Sequence, residues 1–140
     1  MSPSAQDKLY ARMGELLGVE LRSEIEILVA VEVGLPASTF KRLSRHLPGA
    51  STALGLMRNQ RASTRRARLA ASERLIRVTR ILALAEEPFG DRGRARQWCG
   101  QTFARDDFGE SWSAAQMYRS EFGARAVEEH LLRASHGFTA

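Results

Sequence analysis

Apolar residues recur at helical spacing along almost the whole chain, and the longest stripe lies near its middle. Over SERLIRVTRILALAEEPFGD, Ser72 to Asp91, the positions Leu75, Val78, Leu82, Ala85 and Phe89 fall on one face, with Ile76, Ile81 and Leu84 widening it. This predicts a long, mostly buried helix capped by Ser72, with Glu73 one turn before Arg77, and closed by Pro88-Phe89-Gly90. Upstream, Leu9, Met13, Leu16 and Leu17 share one face of a helix over 6–17 that Gly18 can stop. The run EIEILVAVEV over 24–33 alternates and is rich in β-branched residues, which on pattern alone suits a strand. Ser23 with Glu26 as a capping box and Gly34 as a stop point the other way, and helix is the reading adopted.

Pro36 then opens a third helix with Phe40, Leu43 and Leu47 facing inward, ended by Pro48-Gly49. Residues 51–57 carry Leu54, Leu56 and Met57 as anchors, whereas 59–69 (NQRASTRRARL) has little to bury and much charge. Two short helices joined by a tight turn, the second one basic, outline a helix-turn-helix unit. Beyond the central helix, Asp91 precedes a short helix over 94–98 whose Trp98 is expected in the core. Residues 100–111 read as a polar loop, and Ser113 as the cap of a short helix carrying Met117 and Tyr118. A final helix places Ala124, Val127, Leu131 and Ala134 inward, and Gly137 stops it, leaving Phe138-Thr139-Ala140 as a free end. No strand is required, so the expected fold class is all-α.

Charge changes this picture. The 140 residues carry a net +5, but the excess is local: residues 1–35 hold 3 Lys+Arg against 6 Asp+Glu, 36–80 hold 11 against 1, and 81–140 hold 7 against 9. Concentrated arginine beside helical patterning is the electrostatic footprint of a protein that binds phosphate backbones. Arg61, Ser63, Thr64, Arg65 and Arg68 are candidates to enter the major groove, and Arg42, Arg45, Arg58 and Arg66 to hold the backbone.

Other chemistries find little support. His46, His130 and His136 lack metal-ligand spacing with Asp, Glu or Cys, so neither metal nor cofactor is expected. Cys99 beside Trp98 reads as a small buried side chain, Asp106-Asp107 as a solvated loop pair, and Gly90-Asp91-Arg92-Gly93 has the wrong spacing for a phosphate cradle. A non-enzymatic protein is expected. No apolar run approaches a membrane span, and the N-terminus lacks the apolar core of a signal peptide, so a cytoplasmic location is the default.

The order SERLIRVTRILALAEEPFGDRGRARQW, then FG, then SEFGARAVEEHLLRASHG resembles the toxin-binding domain of antitoxins of the Xre/MbcA/ParS group. Gly34-Leu35-Pro36 and Thr64-Arg65-Arg66 are similar to landmarks of their Xre-like half, although the span from Pro36 to Ser72 is shorter than the family's usual run of helices. The resemblance implies two regions, an Xre-like DNA-binding region over 1–70 and a toxin-binding domain over 71–140. It also implies a type II antitoxin that blocks the active site of a RES-type toxin, an NAD-consuming, ADP-ribosyltransferase-like enzyme. Such a protein represses its own operator, as a homodimer or in a hetero-oligomer with the toxin. The positions matching the segment that enters the toxin's cleft are Arg133, Gly137, Phe138, Thr139 and Ala140. An alternative stays open: a stand-alone DNA-binding repressor whose C-terminal half dimerises. Glu128, Glu129 and His130 bear on the choice, because a polar face there disfavours a pure dimer seam.

Overall fold

The computed structural model describes residues 4–46, 64–118 and 120–135. Their order is α1 (Ala5–Leu17), α2 (Glu24–Val33), α3 (Ala37–Ser44), α4 (Arg65–Phe89), α5 (Arg92–Gly100), β1 (Thr102–Arg105), β2 (Ser111–Ser113), α6 (Ala114–Met117) and α7 (Glu121–Ser135). The class is all-α, as expected from the pattern. The expectations placed on Leu47, Pro48-Gly49 and 51–63, and on the chain beyond Ser135, lie outside the described residues.

α4 is the element on which α1, α2, α5 and α7 pack. It begins eight residues earlier than expected. Arg65-Arg66-Ala67-Arg68-Leu69-Ala70-Ala71 consists of good helix formers without a breaker, so the helix extends upstream until Thr64, whose Oγ1 accepts from the Ala67 N–H at 3.2 Å. Ser72 is therefore no cap. It is buried in mid-helix, and its Oγ accepts from the Leu35 N–H at 3.1 Å, satisfying a donor stranded between α2 and α3. Leu75, Val78, Ile81, Leu82 and Ala85 are buried below it, and the core hydroxyl of Thr79 donates to the Leu75 carbonyl at 2.7 Å. Pro88 sits inside the last turn rather than after it, and Gly90, with φ 75°, closes the helix in the left-handed conformation.

Two partly buried ion pairs fasten α1 and α7 to this rod. Arg12 of α1 grips both carboxylate oxygens of Glu86, Nε to Oε1 and a terminal nitrogen to Oε2 at 2.7 Å. That hydrogen bond outweighs the opposing effect of burial and holds the Arg12 guanidinium charged more firmly than usual. Glu86 lies in the last turn of α4, where the helix dipole disfavours an anion, so Arg12 offsets an electrostatic cost as well as joining two helices. On α7, Glu128 accepts from Arg80 at 2.7 and 3.0 Å.

The strand-like run of residues 24–33 is a helix, with the Ser23 hydroxyl accepting from the Glu26 N–H at 3.2 Å. α1 ends as the sequence indicates, at Gly18 with φ 74°. Just after it the chain doubles back so tightly that a Cβ on Gly14 would lie 2.5 Å from the Val19 carbonyl oxygen. The loop expected over 100–111 is instead an antiparallel hairpin, correcting the expectation that no strand is needed. Thr102 pairs with Ser113 and Ala104 with Trp112, with an irregularity between Thr102 and Ala104.

Replacing Ser72 by Ala leaves the buried Leu35 N–H without an acceptor, a loss of about 1–3 kcal/mol, partly offset by the better helix propensity of Ala. Thermal unfolding followed by circular dichroism should show Tm lowered by several degrees. An unchanged Tm would show that this hydrogen bond contributes nothing net.

Candidate functional site

The basic candidates fall on two elements. Arg42 and Arg45, on α3 and at its C-terminus, line a shallow groove of about 240 Å³ with Ser38, Lys41 and the Leu17-Gly18 corner. The absence of a side chain on Gly18 makes room for Arg42, whose Cδ would stand 2.8 Å from a Cβ there. Lys41 and Ser38 were not among the sequence candidates, although the α3 periodicity places Lys41 and Arg45 one turn apart. His46 follows at the end of α3, where burial and then the charges of Arg12, Arg96 and Arg92 lower its pKa and favour the neutral ring.

The second basic element is the start of α4. Arg65, Arg66 and Arg68 occupy its first turns rather than a separate helix, all three exposed, and Arg65 reaches Glu32 of α2 at 3.2 Å. Arginines at a helix N-terminus stand where the backbone dipole favours anions. The Ala67 and Arg68 N–H groups are already bonded to the Thr64 side chain and carbonyl, so the exposed arginine side chains themselves are what this helix start offers to an anion. Arg58, Arg61 and Ser63 lie outside the described residues.

In the C-terminal half Arg133 is exposed in the last turn of α7, and Gly137, Phe138, Thr139 and Ala140 lie outside the described residues. Of the side chains read as a polar face, Glu129 is exposed, whereas the other two have partners within the fold. Glu128 is engaged by Arg80, and His130 stacks on Trp98 with ring centroids 6.0 Å apart and meets Phe103 edge-on at 5.3 Å. Phe89 completes this cluster at 5.4 Å from Trp98. The face of α7 turned to solvent is instead mixed: Phe122 and Leu132 among Glu121, Arg125, Glu129 and Arg133.

Residues 106–110 contain a built turn. The Asp106 carboxylate accepts from the Phe108 and Glu110 N–H groups, each at 2.9 Å, and from Trp112 Nε1 at 3.1 Å. These bonds, Trp112 first, hold its pKa below the usual carboxylate value. Gly109 supplies the positive φ of 82° that lets the chain turn. The outcome is a hairpin tip that presents Phe108, 92% exposed, on a fixed backbone. The pair Asp106-Asp107 is thus structural at its first member, a role signalled by Asp three residues before Gly between two aromatic-bearing segments.

Cys99 is fully buried and shares a hydrogen bond of 3.1 Å with the Tyr118 hydroxyl. Burial raises the thiol pKa from 9.0 to about 11, and burial likewise raises that of Tyr118. Among the described residues no group of three His, Cys, Asp or Glu side chains is placed to hold a metal ion, and no helix is long and apolar enough to cross a membrane.

The chain is similar to an Xre antitoxin. It is 28% identical over 135 residues to the protein named Antitoxin Xre of Pseudomonas putida, a match covering 91% of this chain and 83% of that protein. No protein-family model matches the chain.

A buried thiol of raised pKa should be inert. At pH 8 the thiolate fraction is about a hundredfold below that of an ordinary cysteine. Native protein should therefore react with an aromatic disulfide reagent only as fast as it unfolds, and denatured protein at once. Rapid reaction of the native thiol would contradict this placement.

Proposed function

We infer that this chain is the antitoxin of a type II toxin–antitoxin pair, a regulatory protein rather than an enzyme. The observation that carries the reading is the similarity to Antitoxin Xre, which runs through both halves of the chain rather than through a DNA-binding segment alone. In the finer form of the proposal the partner is a RES-type toxin, an NAD-consuming enzyme of ADP-ribosyltransferase-like chemistry. The C-terminal half holds it, and the end of the chain occupies its catalytic cleft.

Arg133 at the exposed end of α7 is positioned at the entrance to that segment. In this reading Phe138, Thr139 and Ala140 enter the cleft, with the aromatic ring and the hydroxyl as the groups that make contact there. The mixed face of α7 and the preorganised Phe108 offer a surface for the toxin outside the cleft, since exposed aromatic anchors on rigid backbone bind at low entropic cost.

The test is co-expression with the product of the neighbouring reading frame, co-purification and measurement of NAD. The full chain should be retained in a complex and spare NAD. Deleting Phe138 to Ala140 should leave the complex but restore NAD loss. Inhibition that survives the deletion would exclude the cleft segment, and failure to retain any partner would remove the antitoxin reading itself.

Autorepression is the second part of the proposal. The start of α4, with Arg65, Arg66 and Arg68, and the groove at Arg42 and Arg45 would contact operator phosphates, with Thr64 near the bases. Binding to the promoter fragment should weaken steeply with salt. Replacing Arg65, Arg66 and Arg68 together by Gln should flatten the slope of log K against log salt by up to about 0.9 per arginine. A slope equal to that of the unaltered chain would remove these residues from the interface.

A further inference from the structure

The cations of α3 and α5 meet at one end of the molecule although they come from different halves of the chain. Arg42 of α3 packs over Gly18, at the end of α1. Arg12 stands about 9 Å back along α1 and holds Glu86 in the last turn of α4. The Gly90 turn follows and delivers Arg92 and Arg96, one turn apart on α5. These elements run from α3 to α5 without a break. At the end of α3, burial first and then the charges of Arg12, Arg96 and Arg92 disfavour protonation of His46.

The acids at this end do little to balance those cations. Glu86 gives both oxygens to Arg12, Glu15 pairs with the same guanidinium, and Asp91 caps the Arg94 N–H and pairs with its side chain. Glu87 is exposed at the next position of α4 and pairs with none of them. Lys41, Arg42, Arg45, Arg92 and Arg96 therefore make no ion pair among the described residues, and all but the half-buried Arg96 are exposed. Like charges gathered in this way repel one another, a cost that a bound polyanion removes.

The extent of the charge selects the occupant. Along α4 the Arg65 end lies about 31 Å from Glu86, close to one turn of B-DNA at about 34 Å. A small anion could serve one cluster, whereas a duplex laid along the rod presents backbone to both. The hollows between the cations, about 240 Å³ at Arg42 and Arg45 and about 540 Å³ at Arg94 and Arg96, are shallow and open. Such surfaces suit phosphates on an extended strand rather than base edges or an enclosed small ligand.

We propose that Arg92 and Arg96, in the half of the chain that holds the toxin in our reading, join Arg45 in a sequence-independent contact with the phosphate backbone of duplex DNA. The contact extends the autorepression reading beyond residues 1–70 and depends on it.

The full chain, without toxin, is titrated onto the promoter fragment and onto a shuffled duplex of equal length, from about 50 to about 200 mM salt. Arg92→Gln with Arg96→Gln should weaken both complexes by the same factor, about tenfold or more at the lowest salt, and flatten the slope of log K against log salt by up to about 1.8. Arg92→Lys with Arg96→Lys keeps the charge and should keep the slope. Affinities and slope unchanged in the Gln pair would overturn the proposal while leaving the contacts at Arg65, Arg66 and Arg68 in place. A loss confined to the promoter fragment would overturn it by pointing to base contacts, and a Lys pair as weak as the Gln pair by pointing to a structural role. If the unaltered chain bound neither duplex at the lowest salt, the autorepression reading would fall and this contact with it.

Discussion

Burial of one helix from several sides is the constraint from which the rest follows. α4 presents apolar residues over much of its circumference, so it requires α1 and α2 from the N-terminal half and α5 and α7 from the C-terminal half. None of these could bury its own stripe alone. Since the core has Leu75, Val78, Ile81 and Leu82 at its middle, neither half has a hydrophobic interior without α4. The Ser72 hydroxyl shows the same dependence in polar form: a donor from the α2–α3 turn is satisfied by the helix that also organises the C-terminal half.

Much of this was legible in the sequence because local signals agreed with one another. Gly18, Ser23, Gly34, Asp91 and Ser113 mark helix ends where the structure has them, each through a backbone group that needs a partner or a positive φ, and Pro36 marks another through its fixed φ. The start of the central helix was misplaced because Ser72 offers a hydroxyl that can cap or be buried, and only the position of Leu35 decides which. The hairpin was missed because its strands have only four and three residues. Their turn is held by the Asp106 side chain, not by a hydrophobic pattern that a periodicity could reveal. EIEILVAVEV looked like a strand for a physical reason: a helix with apolar residues on both sides has no helical asymmetry to display.

The candidate site was legible in part. Charge localisation singled out the arginines, and the structure divides those it describes between α3 and the start of α4. The polar reading of Glu128 and His130 failed because composition does not tell a solvated charge from one turned to Arg80, or a solvated imidazole from one stacked on Trp98. Exposed aromatic and aliphatic groups, Phe108 and Phe122 among them, carry no periodic signature and emerge only once the fold is known.

The continuity of α4 has a mechanical side. Its 25 residues make a rod about 37 Å long, with the arginine cluster at one end and the Gly90 turn at the other. A rigid rod is a lever. Tilting the arginine end by about 5° would displace the far end by about 3 Å, comparable to the width of a packed side chain. The α5 and α7 contacts ride on that lever, so a small angular change at one end would be delivered as a change of fit at the other, without any hinge in between.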